Sequence, residues 1–299
     1  MSSVFVPGPV RVRAPASSAN LGPGFDAFGL ALDLHDELEG EIQDGGLDVH
    51  VDGAGAGTVP LDETHLVVTA MHATFDALGV RPPGLRLRCR NEVPHARGLG
   101  SSSAAIVGGV VLAAALVTDG DRLDDDARLR IADRLEGHPD NVAAALRGGL
   151  TVAWTTDDGP HVHAAAVDVP LVVAVPPTGV ETRLARGLLP ASVPHAEAAR
   201  NAGRSALMVP ALTGHPELLL AATEDQLHQR YRASAMPDSF DLVQALRAQG
   251  VPAVISGAGP TVLAFTPVEG QDQLVASLVP QGWLLRRVAV AARGAHVVG

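Results

Sequence analysis

The sequence of 299 residues contains no lysine, because all 22 of its basic residues are arginine. A phosphate-binding loop of the type GxxxxGK[ST] and a Schiff-base lysine are therefore both excluded. The net charge of −11 comes without any run of basic residues, so the sequence shows no basic surface for a nucleic acid and predicts no such partner.

Cysteine, aromatic residues and long apolar runs are also scarce. Cys89 is the one cysteine, which excludes a disulfide framework and a cysteine-based zinc site. The longest apolar run, Ala104 to Val117, is shorter than the roughly 20 residues that cross a bilayer. It predicts a buried helix and no membrane partner. The N-terminal segment lacks an apolar leader, so we expect a cytoplasmic protein.

The order of apolar patterns indicates a mixed protein of two domains. Strand-like and helix-like segments alternate without a regular βαβ repeat, which favours an α+β fold. The pattern is lost around residues 157–160. We therefore predict an N-terminal domain over residues 1–156 and a second domain over residues 157–299.

A glycine-rich and serine-rich turn, "PHARGLGSSSA", stands directly before the apolar run. A turn of this kind at a helix N-terminus presents unpaired N–H groups and the positive end of the helix dipole to an anion, and phosphate fits such a site. The third small residue of a dinucleotide fingerprint GxGxxG is replaced by Ser103, which disfavours that alternative. A helix cap with close glycine packing remains open. The candidate phosphate-binding residues are Pro94, His95, Ala96, Arg97, Gly98, Leu99, Gly100, Ser101, Ser102, Ser103 and Ala104.

The same turn resembles the phosphate loop of the GHMP kinases, a family of small-molecule kinases. Three further stretches fit that family: "PASSANLGPGFDAFGLALDL" near the start, "EGHPDNVAAALRGG" after the loop, and "ISGAGPTVLAF" near the end. The first two of these stretches resemble the members that phosphorylate the side-chain hydroxyl of L-homoserine in threonine biosynthesis. The resemblance implies an N-terminal layer like ribosomal protein S5 domain 2, a ferredoxin-like C-terminal domain, ATP and Mg²⁺ as cofactors, and a homodimer.

The resemblance also implies roles for individual residues. Ser102 and Glu136 are expected to hold Mg²⁺. Asp26 is expected to pair with the substrate ammonium, while Arg186 and Arg232 clamp its carboxylate. Asn141, Arg186 and Asp26 are the expected catalytic residues, with Asn141 and Asp26 aligning the accepting hydroxyl. The expected substrate-binding set is Asn20, Asp26, His138, Asp140, Thr182, Arg186 and Arg232.

Two alternatives remain at this point. The chain resembles kinases of other small alcohols, such as mevalonate or shikimate, in its phosphate loop, and a nucleotide-binding homologue without activity would keep the same fold. The sequence also departs from the family at His65, where many members carry asparagine beside the adenine. Asp140 has another interpretation as the N-cap of the helix that follows it.

Overall fold

The computed structural model describes residues 4–299 and confirms an α+β fold with two sheets. Its strands are β1 Val10–Ala19, β2 Phe28–Gln43, β3 Gly46–Gly53, β4 Gly84–Asn91, β5 Leu150–Thr156, β6 Gly159–Ala165, β7 Leu171–Val175, β8 Ala253–Ile255, β9 Val262–Phe265, β10 Leu284–Val288 and β11 His296–Val298. Its α-helices are α1 Leu66–Ala77, α2 Ser101–Ala115, α3 Asp125–Glu136, α4 Pro139–Arg147, α5 Thr182–Gly187, α6 His195–Thr213, α7 Leu219–Ala222, α8 Gln229–Arg232, α9 Pro237–Ala248 and α10 Gln271–Leu278.

The first sheet has seven strands and is mostly antiparallel. Its strands lie in the order β11-β1-β2-β4-β3, and β5 pairs with both β2 and β6. Only the β3–β4 pair is parallel among the pairs of the described residues. Helices α1 to α4 pack together beside this sheet, with α2 and α4 in contact with β1 and β2. The apolar residues between helices and sheet form the first core of the protein.

The apolar run of the sequence forms α2, which is buried as predicted. Eleven of its fifteen residues are buried, from Ser103 to Ala114, because neighbouring helices and the sheet surround it. A helix that is apolar on all sides is stable in water only inside a core. The position of α2 in turn fixes the place of the polar turn at its N-terminus.

The second sheet has four strands in the order β10-β7-β9-β8, all antiparallel. A second apolar core joins the two sheets, because it contains Leu30 and Leu32 of β2 together with Val173 of β7 and Phe265 of β9. Continuous burial of this kind holds the two halves of the chain in one arrangement. The loops that meet along this junction are therefore held at defined distances.

The first sheet extends beyond the boundary predicted after residue 156. Strand β6 pairs with β5 across that boundary, and the C-terminal strand β11 pairs with β1. The predicted loss of pattern at residues 157–160 corresponds to the turn of the β5–β6 hairpin. The boundary predicted after residue 156 therefore lies within the first sheet, to which the last strand of the chain also belongs.

No helix within residues 4–299 combines the length and the apolar character that a membrane-spanning segment requires.

Candidate active site

The loop between β1 and β2, residues 20–27, is held in an unusual backbone conformation. Asn20, Leu21 and Asp26 all have positive φ angles, of 69°, 47° and 55°. Non-glycine residues adopt this region only where surrounding contacts compensate for its cost. Here Asn20 supplies them: its Nδ2 donates to Gly257 O at 2.9 Å and its Oδ1 accepts from Asp26 N at 3.0 Å. Asn20 thus ties this loop to the glycine turn between β8 and β9 and positions Asp26.

The glycine-rich and serine-rich turn before α2 is a concave array of backbone N–H groups. Ala96, Gly98 and Gly100 alternate along it with φ angles of 53°, 74° and 66°. Alternation of left-handed residues with ordinary ones turns successive N–H groups toward one point and forms an anion-binding nest. The first hydrogen bond of α2 runs from Ala104 N to Gly100 O, so the preceding N–H groups of the helix have no partner within it. The turn therefore suits a phosphate group.

Only part of the predicted phosphate-binding segment faces the cavity beside it. Ala96, Gly98, Gly100, Ser101 and Ser102 line that cavity. Leu99 and Ala104 are buried in the apolar interior and Ser103 is fully buried. The guanidinium of Arg97 turns away and donates to the backbone carbonyls of Pro176, Pro177 and His95, so its side chain holds the loop rather than a ligand.

The cavity has a volume of about 210 Å³ and lies where the β1–β2 loop, the N-termini of α2, α4 and α5, and the β8–β9 turn converge. It brings together every residue that the sequence predicted for the substrate and the metal. Those residues are Asn20, Asp26, Ser102, Glu136, His138, Asp140, Asn141, Thr182, Arg186 and Arg232. The structure therefore places the predicted set in one pocket, while the individual roles remain predictions.

Asp26 and Arg186 form a bidentate ion pair at the wall of the cavity. Arg186 Nη2 and Nη1 donate to the two carboxylate oxygens of Asp26 at 2.8 and 3.0 Å. This hydrogen bonding raises the pKa of Arg186. The side chains of Arg186 and Asp26 are 37% and 36% exposed, so the pair is open to the cavity. An open pair of opposite charges can be separated by a ligand that carries both charges itself.

Arg232 is a buried cation without a carboxylate partner among residues 4–299. Its side chain is 2% exposed, and its Nε donates to Ala185 O at 3.2 Å. Burial lowers the pKa of Arg232, and the neighbouring Arg186 lowers it further. The guanidinium lies 5.2 Å from the centre of the Phe25 ring, with a cation–π contact as partial compensation. Because its charge has no carboxylate partner, Arg232 can bind an anion in the cavity.

His138, Asp140 and Asn141 lie at the beginning of α4. His138 Nδ1 lies 2.7 Å from Asp140 Oδ1, and this hydrogen bond raises the pKa of His138 against the effect of burial. Asp140 is 2% exposed and also accepts from Asn141 N at 2.8 Å. The N-cap position belongs to His138, so the interpretation of Asp140 as the N-cap is wrong. Asp140 instead orients its two neighbours.

Hydroxyl and carboxylate oxygens cluster between α2 and the end of α3. Ser102 Oγ donates to Glu136 Oε1 at 2.7 Å, and Ser103 Oγ approaches the same oxygen at 3.1 Å. A set of hard oxygen donors beside a phosphate-binding turn fits Mg²⁺, which prefers carboxylates, hydroxyls and water. Ser103 belongs to this cluster although the sequence did not predict it there.

Another cavity, of about 260 Å³, adjoins the first, because Ser101 and Ser102 line both. Its walls include the apolar side chains of Val59, Leu66 and Val67. His65 also lines it, is 5% exposed, and its Nδ1 has no hydrogen-bond partner among the described residues. Burial and the nearby His95 lower the pKa of His65, which favours the neutral ring. An apolar slot with one unpaired polar atom suits a flat heterocycle.

Sequence reasoning missed three side chains that shape the site. Ser17 on β1 hydrogen-bonds to Asn141. The guanidinium groups of Arg186 and Arg232 lie 5.8 and 5.2 Å from the centre of the Phe25 ring. His228 is fully buried, and its Nε2 lies 2.8 Å from Gly22 O, a hydrogen bond that stabilises the β1–β2 loop. Ser17 and Phe25 belong to the stretch "PASSANLGPGFDAFGLALDL", but only their tertiary neighbours reveal what they do.

Comparison with known proteins agrees with this geometry. Residues 65–149 match the family model "GHMP kinases N terminal domain" and residues 208–281 match "GHMP kinases C terminal". The chain belongs to the GHMP kinase family. Within that family it is similar to the homoserine kinases.

The relatives that support this placement match almost the whole chain. The homoserine kinase of Streptomyces avermitilis is 55% identical over 295 residues, with 97% of this chain and 95% of that relative covered. The homoserine kinase of Streptomyces coelicolor is 53% identical, with 97% and 94% covered. The crystal structure of homoserine kinase from Cytophaga hutchinsonii superimposes with a TM-score of 0.88 at 25% identity and covers both chains completely.

Proposed function

We propose that this protein transfers the γ-phosphate of ATP to the side-chain hydroxyl of L-homoserine and produces O-phospho-L-homoserine. The observation that carries the proposal is Arg232, a buried cation that faces the cavity without a carboxylate partner among residues 4–299. The relatives named homoserine kinase supply the particular substrate.

The charges around the cavity match an α-amino acid. The Asp26 carboxylate can accept a substrate ammonium, while Arg232 and the released Arg186 can bind its carboxylate. A substrate that carries both charges replaces the internal ion pair with two new ones and leaves no buried charge unpaired. Mevalonate and shikimate each carry a carboxylate but no ammonium, so neither offers Asp26 a cation in place of Arg186.

The phosphate-binding turn and the adjoining cavity together match ATP. Phosphate groups fit the N–H groups that Gly98, Gly100 and the start of α2 present. The base fits the apolar adjoining cavity, where the unpaired Nδ1 of His65 can take part in its recognition. Since Ser101 and Ser102 line both cavities, a nucleotide in this orientation directs its terminal phosphate toward the amino-acid site.

The reaction needs alignment and charge neutralisation more than it needs a base. The substrate oxygen forms a bond to the γ-phosphorus, the bond between that phosphorus and the bridging oxygen breaks, and its electron pair leaves with ADP. The hydroxyl proton passes to a phosphoryl oxygen. Asn141 and Asp26 line the cavity and would align the accepting hydroxyl and the ammonium group of the substrate. The helix dipole of α2 would stabilise the negative charge on the phosphates.

The oxygen cluster of Ser102 and Glu136 is the proposed Mg²⁺ site. When bound, the metal would neutralise part of the phosphate charge. Because the chain has no lysine, only Mg²⁺, arginine and backbone N–H groups can do this. The finer predictions of a homodimer, a cytoplasmic location and no nucleic-acid partner stay part of this proposal. The proposed use of ATP and the single, buried Cys89 support the cytoplasmic location. The negative net charge supports the prediction that no nucleic acid is a partner.

The test is ADP release from Mg-ATP with L-homoserine, mevalonate, shikimate or galactose as acceptor, against a control without acceptor. We expect a rate that is confined to L-homoserine, with O-phospho-L-homoserine as the product in mass spectrometry. Turnover with another alcohol alone contradicts the proposed substrate. Tight binding of ATP without turnover on any acceptor contradicts the proposed activity and favours a nucleotide-binding homologue.

A further inference from the structure

The buried hydroxyl of Ser17 contacts Asn141, a residue that lines the cavity. Ser17 is 0% exposed and does not line the cavity, so it touches no ligand there. Its Oγ donates to Asn141 Oδ1 at 2.9 Å. The two residues are 124 positions apart in the chain, and strand β1 meets the N-terminus of α4 at this contact.

Ser17 also contacts the phosphate-binding turn. Its backbone N–H donates to Leu99 O at 3.0 Å, within that turn. A side-chain carbon at Gly100 would collide with Ser17 Oγ and would lie 3.1 Å from Asn141 Oδ1. Ser17 and Asn141 therefore leave no space for a side chain at position 100. One serine thus links the loop that binds phosphate to the amide beside the accepting hydroxyl.

The direction of the hydrogen bond decides which end of the Asn141 amide meets a substrate. An asparagine amide offers an acceptor oxygen and two N–H donors, and rotation about its last torsion exchanges them. With its oxygen engaged by Ser17, the amide has its NH₂ group left for a ligand, and Asn141 lines the cavity. The backbone of Asn141 is held independently, because its N–H donates to Asp140 Oδ1 at 2.8 Å.

We propose that Ser17 is a positioning residue for phosphoryl transfer, which fixes both the rotamer of Asn141 and its distance from the phosphate-binding turn. The inference rests on the proposed function, in which Asn141 aligns the hydroxyl of the substrate. Without the Ser17 hydroxyl, the amide populates both of its orientations, and the accepting oxygen loses its alignment with the γ-phosphorus. Small misplacements of reacting groups reduce rate strongly, whereas ATP binding does not depend on this amide.

The experiment compares Ser17→Ala, Ser17→Thr, Asn141→Ala and the double variant Ser17→Ala/Asn141→Ala. We expect Ser17→Ala to lower kcat roughly 10- to 100-fold. The KM for ATP should stay within about twofold, because the lost interaction acts on the chemical step. Ser17→Thr keeps the hydroxyl and should restore most of kcat. In the Asn141→Ala background, Ser17→Ala should have no further effect, because Ser17 acts through that amide.

Thr74→Val is the matched control, since Thr74 is also 0% exposed and its hydroxyl bonds to Ala70 O at 2.8 Å in α1, away from both cavities. It should change the melting temperature without changing kcat. A Ser17→Ala enzyme with unchanged kcat overturns the inference while wild-type turnover upholds the proposed function. Equal losses from Ser17→Ala in both Asn141 backgrounds also overturn it. Absence of wild-type turnover overturns the proposed function, and the inference with it.

Discussion

Replacement of Arg232 by methionine should separate substrate binding from folding. Methionine fills much of the same apolar volume but carries no charge, so a bound substrate carboxylate would lose its buried partner. Loss of one partner from a buried, hydrogen-bonded charge pair costs about 2–4 kcal/mol. That cost corresponds to a fall of about 30- to 1,000-fold in kcat/KM for L-homoserine. Initial rates of ADP release over a range of homoserine concentrations measure it.

Stability should respond differently from activity. A buried guanidinium without a carboxylate costs several kcal/mol of desolvation, which the variant removes. The variant also leaves Ala185 O without the bond that Arg232 Nε donates, at a cost of about 1–3 kcal/mol. Because these contributions oppose each other, we expect the melting temperature to stay within about 3 °C of the wild type.

An acceptor that lacks the carboxylate tests the assignment directly. 3-Aminopropan-1-ol keeps the ammonium and the hydroxyl of homoserine and lacks only the carboxylate. Its turnover by the wild type should be slow, and Arg232→Met should slow it no further. Equal proportional losses with both acceptors would refute the reasoning, because the arginine would then act on something other than the carboxylate.

Arg247→Met is the control for a half-buried arginine outside the cavity. Arg247 donates to Thr223 Oγ1 at 2.6 Å and to Leu220 O at 2.8 Å, and burial lowers its pKa as it does that of Arg232. Its replacement should lower the melting temperature and leave kcat/KM unchanged. If the two variants behave alike, Arg232 is a structural residue and the carboxylate site lies elsewhere.

Three further predictions concern Mg²⁺ binding, the site of the ATP base, and the pH dependence of stability. Glu136→Gln should raise the Mg²⁺ concentration for half-maximal rate about tenfold, since the carboxylate is the charged member of its oxygen cluster; an unchanged Mg²⁺ titration would exclude this role. His65→Phe should raise the KM for ATP without changing that for L-homoserine, and a change confined to homoserine would contradict the placement of the base. Burial raises the pKa of Asp36 to about 7, so its contribution to stability is fully present below a pH of about 4 and is lost as the pH rises through 7. Asp36→Asn should therefore gain stability relative to the wild type between pH 5 and pH 8, by up to about 4 kcal/mol in urea unfolding, whereas a gain independent of pH would disprove this titration.

Much of the site could be predicted because its loops are local in sequence. The alternation of small residues from Ala96 to Gly100 and the polar start of α2 indicate an anion site without knowledge of the fold. The side chain of Arg97 could not be assigned in the same way. Its guanidinium donates to the carbonyls of Pro176 and Pro177, some eighty positions away. The side chain therefore stabilises the phosphate-binding turn instead of facing the ligand.

The domain boundary shows a similar limit. Residues 157–160 lose their apolar pattern, which equally fits a linker and a hairpin turn. The backbone pairing of β5 with β6 decides for the turn, and hydrogen bonds between strands leave no mark in the periodicity of either strand. The pairing of β11 with β1 in the first sheet could not be predicted for the same reason.

The sequence by itself determined the chemical classes available to this protein: no lysine chemistry, no disulfides, a phosphate turn on a buried helix, and carboxylates and arginines that can bind charged groups. Only the tertiary structure decided which of them act together. It paired Asp26 with Arg186, left Arg232 buried without a carboxylate, and placed Ser17 in contact with Asn141. Local conformation depends on neighbours in the chain, whereas burial and the distances between charges depend on how distant segments pack, and these distances set the chemistry of the site.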